Sequence, residues 1–402
     1  MTIACSHCGT VQELPPVPSG SVALCPVCEN HVERSAGRSL DAALACALGT
    51  LILLFPANLL PLMSVSLLGV TRTSRIGSGV VSLWRGHWVI VAALVGACVV
   101  VLPFIRFGLL SAVLACLRFS YRPRWLGRAF RSAMALDFWA MQDVFLIGAA
   151  VGYSRVSANL DVSIGWGGTC LILAALLSML SRASLDRRMT WRAIMADPGP
   201  LEPERRAISC TVCNLAFPAE REGSRCPRCD ARLSSRKPDS GVRTAALLIA
   251  GLALYVPANV FPMSTDVQLG ALTPHRIIDG IRELAQAGLW PLGVLIFCTS
   301  IAIPLLKLAG LGWLLVSARR RSRRHLVFKT KLYRAVDEIG RWSSIDVFTI
   351  AVFLPLLQFG TLISSRADTG APAFMLVVVL TMLASQTFDP RSVWDAAEGE
   401  SA

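Results

Sequence analysis

Charged residues are scarce in this chain. Only 16% of its 402 residues are Asp, Glu, Lys or Arg, whereas 54% are apolar. Because soluble globular domains carry about 25% charged residues, this composition excludes an ordinary soluble protein. It predicts an integral membrane protein.

Familiar catalytic motifs are also missing. The sequence contains no G-x-x-x-x-G-K-[ST] loop, which argues against ATP as a direct energy source. It contains no G-x-S-x-G elbow, and its five histidines lie outside the apolar runs, which argues against a serine or cysteine hydrolase. We therefore expect a protein that is not an enzyme.

A signal peptide is missing from the start of the sequence as well. Such a peptide has a short basic region followed by an apolar core, whereas the first 40 residues here are polar and contain cysteines. This pattern predicts a cytoplasmic N-terminus.

Long apolar runs, in contrast, are abundant. A membrane-spanning helix needs about 20 residues, and eight runs meet this length, at roughly 41–63, 88–117, 134–154, 163–183, 243–265, 288–317, 343–364 and 371–387. The sequence therefore predicts an α-helical polytopic membrane protein with eight transmembrane helices.

Basic residues indicate how these helices are oriented. They cluster after the second, fourth and sixth runs, most densely at 319–331, while 155–162 and 365–370 hold one Arg each. Lys and Arg concentrate in cytoplasmic loops, so we predict that both termini are cytoplasmic. Each cluster adjoins an apolar run, which favours a role in topology and attraction to anionic lipid over nucleic-acid binding.

The second half of the chain repeats the first at an offset of 201 to 205 residues. An even number of spans in each copy gives two tandem parallel modules. The predicted domains are ribbon 1 (1–36), module 1 (37–195), ribbon 2 (196–238), module 2 (239–390) and a cytoplasmic tail (391–402).

Each copy opens with two C-x-x-C pairs, separated by 16 residues in the first copy and 12 in the second. Two such turns can present four thiolates tetrahedrally, as in a zinc ribbon. Cytoplasmic cysteines favour metal binding over disulfides, and zinc is the expected metal, with iron as the alternative. Because all four positions are filled, a structural role is favoured. The predicted ligands are Cys5, Cys8, Cys25 and Cys28, and Cys210, Cys213, Cys226 and Cys229.

Ionisable residues lie within or at the start of apolar runs, where each costs a few kcal/mol unless it is paired or hydrated. Lys307 and Asp346 occupy the second copy, and Arg106 and Asp143 are their counterparts. We predict that Lys307 pairs with Asp346, and Arg106 with Asp143. Each pair is either a structural ion pair or part of a proton or ion relay.

Hydroxyl residues extend the polar set of the second copy. Ser300 lies seven residues before Lys307, and Ser343 lies three before Asp346, on the same helical faces. Thr381, on the last predicted span, could face them.

A Pro-Ala-Asn-x-x-Pro element interrupts the first apolar run of each copy. Two prolines break regular helix, and the asparagine can supply hydrogen bonds to the broken turn. We predict a kink near the extracytoplasmic end, with direct lipid contact by the asparagine as the alternative. The residues are Pro56, Asn58 and Pro61, and Pro257, Asn259 and Pro262.

The segments that follow these elements, 65–87 and 266–287, are predicted to be extracytoplasmic. In the second, Ile277, Ile281, Leu284 and Leu289 form a helical apolar stripe. This stripe predicts a helix that lies on the membrane or docks a partner.

Duplicated C-x-x-C modules, each with a four-span region, a Pro-Ala-Asn-x-x-Pro element and an Asp-Val-Phe opening the third span, resemble the PqiA family (paraquat-inducible protein A), including its LetA-type lipid-transport members. The resemblance covers nearly the whole chain. It implies an inner-membrane protein of double-membraned bacteria. Such a protein works with an MCE-domain partner that forms a periplasmic tunnel, and moves phospholipids between membranes.

The resemblance also implies roles for particular residues. It makes Ser300, Lys307, Ser343, Asp346 and Thr381 the functional polar cluster, and makes the eight cysteines named above the metal ligands. Module 1 has Val99 and Ala140 where module 2 has Ser300 and Ser343. We therefore expect a thinner polar lining in module 1 and different roles for the two modules.

Three functional hypotheses follow. The leading one is a component that loads or unloads lipid at an extracytoplasmic tunnel, with proton coupling through Lys307 and Asp346 as an extension. A membrane redox protein with iron-thiolate centres is the second. The third is a passive membrane scaffold that recruits a partner through its ribbons.

Overall fold

The computed structural model describes residues 2–13, 17–18, 20–34, 40–67, 69–157, 161–196, 207–268, 271–286, 288–356 and 363–395. The α-helices are α1 (Leu40–Leu59), α2 (Ile76–Arg85), α3 (Val89–Gly96), α4 (Leu102–Arg118), α5 (Leu126–Leu136), α6 (Gln142–Ser157), α7 (Trp166–Ser184), α8 (Arg187–Ile194), α9 (Ser240–Val260), α10 (Ile277–Gln286), α11 (Trp290–Ile296), α12 (Ile303–Arg319), α13 (Leu326–Ile339), α14 (Ile345–Leu356) and α15 (Gly370–Thr387). A 3₁₀ turn, Gly340–Ser344, joins α13 to α14.

Short antiparallel sheets accompany the helices. The ribbons contain β1 (Thr2–Ala4) with β2 (Val11–Glu13), β3 (Val22–Leu24) with β4 (His31–Arg34), and β8 (Ala207–Ser209) with β9 (Ala216–Pro218). Each module carries a three-stranded sheet whose central strand is the first of the three in sequence. These sheets contain β5 (Met63–Leu67), β6 (Val70–Ser74) and β7 (Asp161–Ile164), and β10 (Ser264–Gln268), β11 (Ala271–His275) and β12 (Ile363–Ala367). We call this end of each module its sheet end and the opposite end its ribbon end.

Six helices in the described residues are long and apolar enough to cross a membrane: Leu40–Leu59, Val89–Arg118, Trp166–Ser184, Ser240–Val260, Trp290–Arg319 and Gly370–Thr387. They match six of the eight predicted spans. The predicted spans 134–154 and 343–364 contain the shorter helices α6 and α14, of 16 and 12 residues. Helix length therefore does not confirm these two spans, and residues 357–362 of the second lie outside the described part of the chain.

The chain nevertheless runs the length of module 1 four times. Arg118, at the end of α4, lies beside Asp41 at the start of α1, with Nε and Oδ1 2.7 Å apart. Ile164 of β7 pairs with Met63, just beyond the end of α1. The segment between Arg118 and β7 must therefore return from the ribbon end to the sheet end, and α6 provides most of that passage.

Module 2 repeats this course. Tyr333 of α13 donates a hydrogen bond of 3.0 Å to the carbonyl of Ser385, near the ribbon end of α15. Ala367 of β12 pairs with Ser264 at the sheet end. The chain thus travels from the ribbon end to the sheet end between α13 and β12, through α14.

The short helices α6 and α14 pack against each other between the two modules. The rings of Phe145 and Phe348 meet edge to face, with centroids 5.8 Å apart. A Cβ atom on Gly148 would lie 3.0 Å from both the Ile345 carbonyl oxygen and the Phe348 Cβ, so glycine permits this close crossing. The two modules therefore share an apolar cluster at this crossing, in addition to a separate buried cluster in each module.

Ribbon 2 docks on module 1. Its Phe217 shares a buried cluster with Phe130 and Trp191 of module 1. A Cβ atom on Gly127 would lie 1.8 Å from the carbonyl oxygen of Arg228, so the backbone of ribbon 2 touches α5 directly.

Ribbon 1 docks on the other module. Its four cysteines share a buried cluster with Tyr333 of module 2. Lys331 of α13 forms an ion pair with Glu29, at 2.7 Å, and Arg391 donates a hydrogen bond of 3.2 Å to the carbonyl of Ser6. The apolar packing of the ribbons is therefore crossed, because each packs mainly under the module of the other copy.

The Pro-Ala-Asn-x-x-Pro elements end the first helix of each module. Helices α1 and α9 continue through the first proline and end two residues before the second. Asn58 and Asn259 each donate a 2.8 Å hydrogen bond to the carbonyl four residues earlier. The carbonyls of Pro61 and Pro262 accept 2.9 Å bonds from the backbone N–H groups of Gly167 and Gly370, at the starts of α7 and α15. The broken helix end is thus held by the last helix of the same module.

The predicted surface helix of module 2 is α10. Ile277 and Leu284 of its apolar stripe are buried in the shared core, and Ile281 and Leu289 pack against that core. The stripe faces the protein itself, so the predicted membrane-surface or partner-facing placement of these side chains is wrong.

Candidate functional site

Lys307 lies in the middle of a membrane-length helix and is 1% exposed. Its ammonium group donates a hydrogen bond of 3.0 Å to the carbonyl of Gly340, at the start of the 3₁₀ turn. A Cβ atom on residue 340 would lie 3.1 Å from the Lys307 Cε, so a glycine at this position leaves room for the lysine. The buried cation is therefore held by a backbone carbonyl.

Ser300 lies in a π-helical segment, Phe297–Ala302, immediately before Pro304. Proline has no N–H to continue the helical ladder, and here the N–H of Ile303 bonds to the carbonyl of Cys298, five residues earlier. The hydroxyl of Ser300 donates to the Asp346 carboxylate at the start of α14. A π-helical turn thus carries the serine that contacts the buried aspartate, in keeping with the frequent occurrence of such turns at functional sites.

Ser343 and Thr381 complete the predicted cluster and are fully buried. Ser343 donates a 2.8 Å hydrogen bond to the carbonyl of Gly340, the acceptor that Lys307 also uses. Thr381 donates a 3.0 Å bond to Val378, in its own helix.

The predicted ion pair between Lys307 and Asp346 is not formed. In the part of the chain that the structure describes, no carboxylate lies within ion-pair distance of the Lys307 ammonium. The reason is that the 3₁₀ turn brings the Gly340 carbonyl to the lysine, while Ser300 reaches the aspartate. The cluster consists of two hydrogen-bonded groups, one around Gly340 and one at Asp346.

Module 1 has a different arrangement at the matching positions. Arg106 forms an ion pair with Asp137, with Nη2 and Oδ1 2.5 Å apart, and not with Asp143 as predicted. Asp143 pairs instead with Arg182, at 2.7 Å, and with Arg341 of module 2, at 3.5 Å. Asp137 caps the C-terminal end of α5, and α5 packs along α4. Arg106 of α4 therefore lies next to Asp137.

Sequence reasoning missed several members of this network. Arg182 also bonds to Asp137, at 2.9 Å, and Arg187 lies 3.1 Å from the same carboxylate. The repeat gave no signal for Asp137, because its counterpart is Gly340, whereas the neighbouring Ser178 could have been found as the counterpart of Thr381. The expectation of a thinner polar lining in module 1 was wrong, since module 1 contains the larger buried charged network.

The two predicted metal centres are assembled as expected. Within each set of four cysteines the Sγ atoms lie within 4.8 Å of one another, and all eight residues are buried. The closest pairs are 3.5 to 3.6 Å apart. A tetrahedral centre with metal–sulfur bonds of about 2.3 Å places its thiolates about 3.8 Å apart, so either set could hold a metal ion.

The backbone explains why these thiolates converge. Each C-x-x-C pair is followed by a residue with positive φ, which turns the chain back: Gly9, Glu29, Asn214 and Asp230. Burial lowers the pKa of the neighbouring His7 to about 4, so this ring is neutral at cellular pH. Its Nδ1 lies 2.5 Å from the amide nitrogen of Asn30, which ties the two knuckles of ribbon 1 together.

Comparison with known proteins identifies the same family that the sequence motifs resemble. The family model for paraquat-inducible protein A, PqiA, matches residues 40–195 and again residues 242–398. The chain is 31% identical to intermembrane transport protein PqiA of Escherichia coli (strain K12), over 98% of this chain and 95% of that protein. No solved structure matches the chain.

Two further relatives are similar over nearly their full lengths. The chain is 28% identical to lipophilic envelope-spanning tunnel protein A of Escherichia coli (strain K12), over 99% of this chain and 92% of that protein. It is 27% identical to a probable intermembrane transport protein of Haemophilus influenzae, over 99% of this chain and 97% of that protein. With two family matches that together cover more than half of its length, the chain is a multi-pass membrane protein that belongs to the PqiA family.

Proposed function

We propose that this protein is the inner-membrane component of an intermembrane lipid transport system. It loads or unloads phospholipid at an extracytoplasmic partner of the MCE type, docked at the sheet end, and catalyses no covalent reaction. The proposal is supported by relatives that are named as intermembrane transport and envelope-spanning tunnel proteins.

The proposed topology has eight crossings and two cytoplasmic termini. The return passages through α6 and α14 support four crossings for each module, even though these two helices are short. On this topology the ribbons, with zinc as the proposed metal, lie in the cytoplasm, and both sheet ends face the periplasm.

One observation carries the mechanism. Lys307 is buried in a membrane-length helix, and its ammonium group is held by a carbonyl rather than by a carboxylate. Among the described residues no carboxylate lies within ion-pair distance of this ammonium group, and a buried lysine releases its proton far more readily than an arginine does. Together with the buried Asp346 and its Ser300 partner, Lys307 forms a site that can gain and lose protons as the protein changes conformation. We propose that this site couples lipid movement to the proton gradient.

The decisive experiment is lipid transfer by the full chain reconstituted in vesicles with its tunnel partner. Asp346→Asn preserves the shape of the side chain and removes its charge, so we expect transfer to fall at least about tenfold. Asp239→Asn, at a carboxylate that is 73% exposed, is the matched control and should transfer normally. Unchanged transfer by Asp346→Asn would leave this cluster with a structural role only.

Imposing a pH gradient across the same vesicles tests the coupling separately. Wild-type transfer should respond to the gradient, and the residual transfer of Asp346→Asn should not. A wild-type rate that is the same with and without the gradient would refute proton coupling while leaving lipid transfer itself intact.

A further inference from the structure

The ion pairs of module 1 form a cluster that is rich in positive charge. We call it the arginine cluster; it contains Arg106, Asp137, Asp143, Arg182, Arg187 and Arg341. Four guanidinium groups face two carboxylates, which leaves an excess of two positive charges. Arg187 is 63% exposed and therefore hydrated, but Arg106 and Arg182 are only 2% and 18% exposed. Positive charge that is buried to this extent is costly unless an anion neutralises it.

Polar atoms in and beside the cluster also have hydrogen-bonding capacity that the described part of the chain does not use. These buried atoms are Nε and Nη1 of Arg106, Nη2 of Arg182, Oδ1 of Asp143, both amide atoms of Gln142, and the hydroxyls of Ser178 and Ser181. Buried polar groups are nearly always satisfied in native proteins, because an unsatisfied one costs about 1–3 kcal/mol. So many in one region indicate a site that exchanges hydrogen bonds with something outside the described part of the chain.

The cluster is reachable from the ribbon end. A cavity of about 800 Å³ lies between the two ribbons and the ends of α7 and α8, and Arg182 and Arg187 are on its wall. The other charged residues that line it are Arg188, Arg228, Arg334, Glu33 and Asp186. Five arginines against two carboxylates make this entrance positive, so it attracts anions. Glu33 of ribbon 1 pairs with Arg188 at 2.7 Å, so docking of ribbon 1 shapes the entrance.

We propose that the arginine cluster of module 1 binds the phosphate group of an anionic ligand that enters through this cavity. A phosphate dianion matches the excess of two charges, and its oxygens accept several hydrogen bonds at once. The planar guanidinium of arginine is well suited to bind phosphate through two parallel bonds. The group comes either from free phosphate in the cytoplasm or from the headgroup of a phosphomonoester lipid in the inner leaflet, since Arg182 lies in the last turn of α7.

The test measures phosphate binding by the full, metal-loaded chain in nanodiscs of phosphatidylcholine. Inorganic phosphate is titrated calorimetrically against a chloride background, and a parallel preparation contains phosphatidic acid, whose retention is read by native mass spectrometry. Saturable binding of free phosphate identifies the soluble source. Retention of phosphatidic acid without phosphate binding identifies the lipid source. Absence of both would overturn the proposal.

Two variants locate the site. Arg182→Lys keeps the positive charge but loses the paired N–H groups, and Gln142→Leu changes no charge at a fully buried position. Both should weaken binding by about tenfold or more. Arg243→Gln, at an arginine that is 59% exposed, should change affinity less than about twofold. If Arg182→Lys does not fold, the phosphate affinity of Gln142→Leu alone decides whether the arginine cluster is the binding site.

A dry, purely structural cluster predicts a different outcome. Gln142→Leu would then raise the unfolding temperature, because an apolar residue would replace an unsatisfied amide, and binding would be unaffected. Unchanged binding in the variants refutes the assignment to this cluster. The inference rests on the proposed topology but not on the proposed lipid transfer, since Asp346→Asn tests transfer and leaves the arginine cluster intact.

Discussion

Modules 1 and 2 place a cation at the same point of the same helix and surround it differently. Arg106 meets the carboxylate of Asp137, whereas Lys307 meets the backbone carbonyl of Gly340, its positional equivalent. Arginine stays protonated under all cellular conditions, while a buried lysine can lose its proton. Module 1 therefore holds its cation in a network of ion pairs, whereas on the proposed mechanism module 2 holds a cation that can be neutralised.

The two sites also differ in whether their polar contacts cross between the modules. The network of module 1 extends to Arg341 of module 2, so it ties the two modules together at the ribbon end. The hydrogen bonds of Lys307 and Ser300 stay within module 2. On the proposed mechanism, module 1 provides the fixed frame and module 2 contains the part that switches.

The largest expected effect comes from breaking the ribbons, because each docks on the opposite module. Cys28→Ser should remove one of two bound metal ions and increase hydrogen exchange in α13, whereas Cys229→Ser should increase it in α5. Metal binding contributes about 10–16 kcal/mol to the folding of small zinc domains, and loss of one thiolate ligand removes a large share of that contribution. Hydrogen-exchange mass spectrometry and elemental analysis provide the measurements.

Each ribbon variant is the control for the other. Increased exchange in the module that follows the mutated ribbon in sequence would contradict the crossed docking. Elemental analysis of the wild type also decides the metal: zinc alone removes the redox alternative, and iron with its thiolate absorbance revives it.

The second effect tests the two cations directly. Arg106→Met should lower the free energy of unfolding by about 1.5–3 kcal/mol, because it removes one charged partner of the buried Asp137 while Arg182 and Arg187 remain. Lys307→Met should change it by less than about 1 kcal/mol, because Gly340 still accepts a hydrogen bond from Ser343. Denaturant titration of both variants in the same detergent checks the difference. Equal losses would mean that the two modules hold their cations in equivalent ways.

Features that depend on nearby residues could be predicted from the sequence. The cysteine clusters follow from spacing, because each ribbon is a short segment that turns back at every C-x-x-C pair. The hydrogen bonds of Asn58 and Asn259 follow from helical geometry, since each acceptor lies four residues earlier on the same helix. Six membrane-length helices follow from hydropathy alone.

Features that depend on long-range packing could not be predicted. Asp137 has glycine as its counterpart in the other copy, so a search for residues that both copies share selects Asp143 instead. The apolar run at 134–154 hides the break between α5 and α6, because four of the five residues there, 138–141, are apolar or aromatic. Ribbon 2 docks through apolar side chains such as Phe217. Side chains of this kind do not specify in the sequence which module the ribbon contacts.

The smallest expected effect concerns the asparagines at the two helix breaks, Asn58 and Asn259. Asn259→Ala removes one hydrogen bond to a helix carbonyl and should cost about 1 kcal/mol of unfolding free energy. Asn58→Ala removes the equivalent bond, but it also removes a buried Oδ1 that has no hydrogen-bond partner in the described residues. Relief of that desolvation cost offsets part of the loss, so Asn58→Ala should be the milder change in denaturant titrations. If Asn58→Ala is as costly as Asn259→Ala, the Asn58 oxygen is satisfied in the folded protein, and the two breaks are stabilised alike.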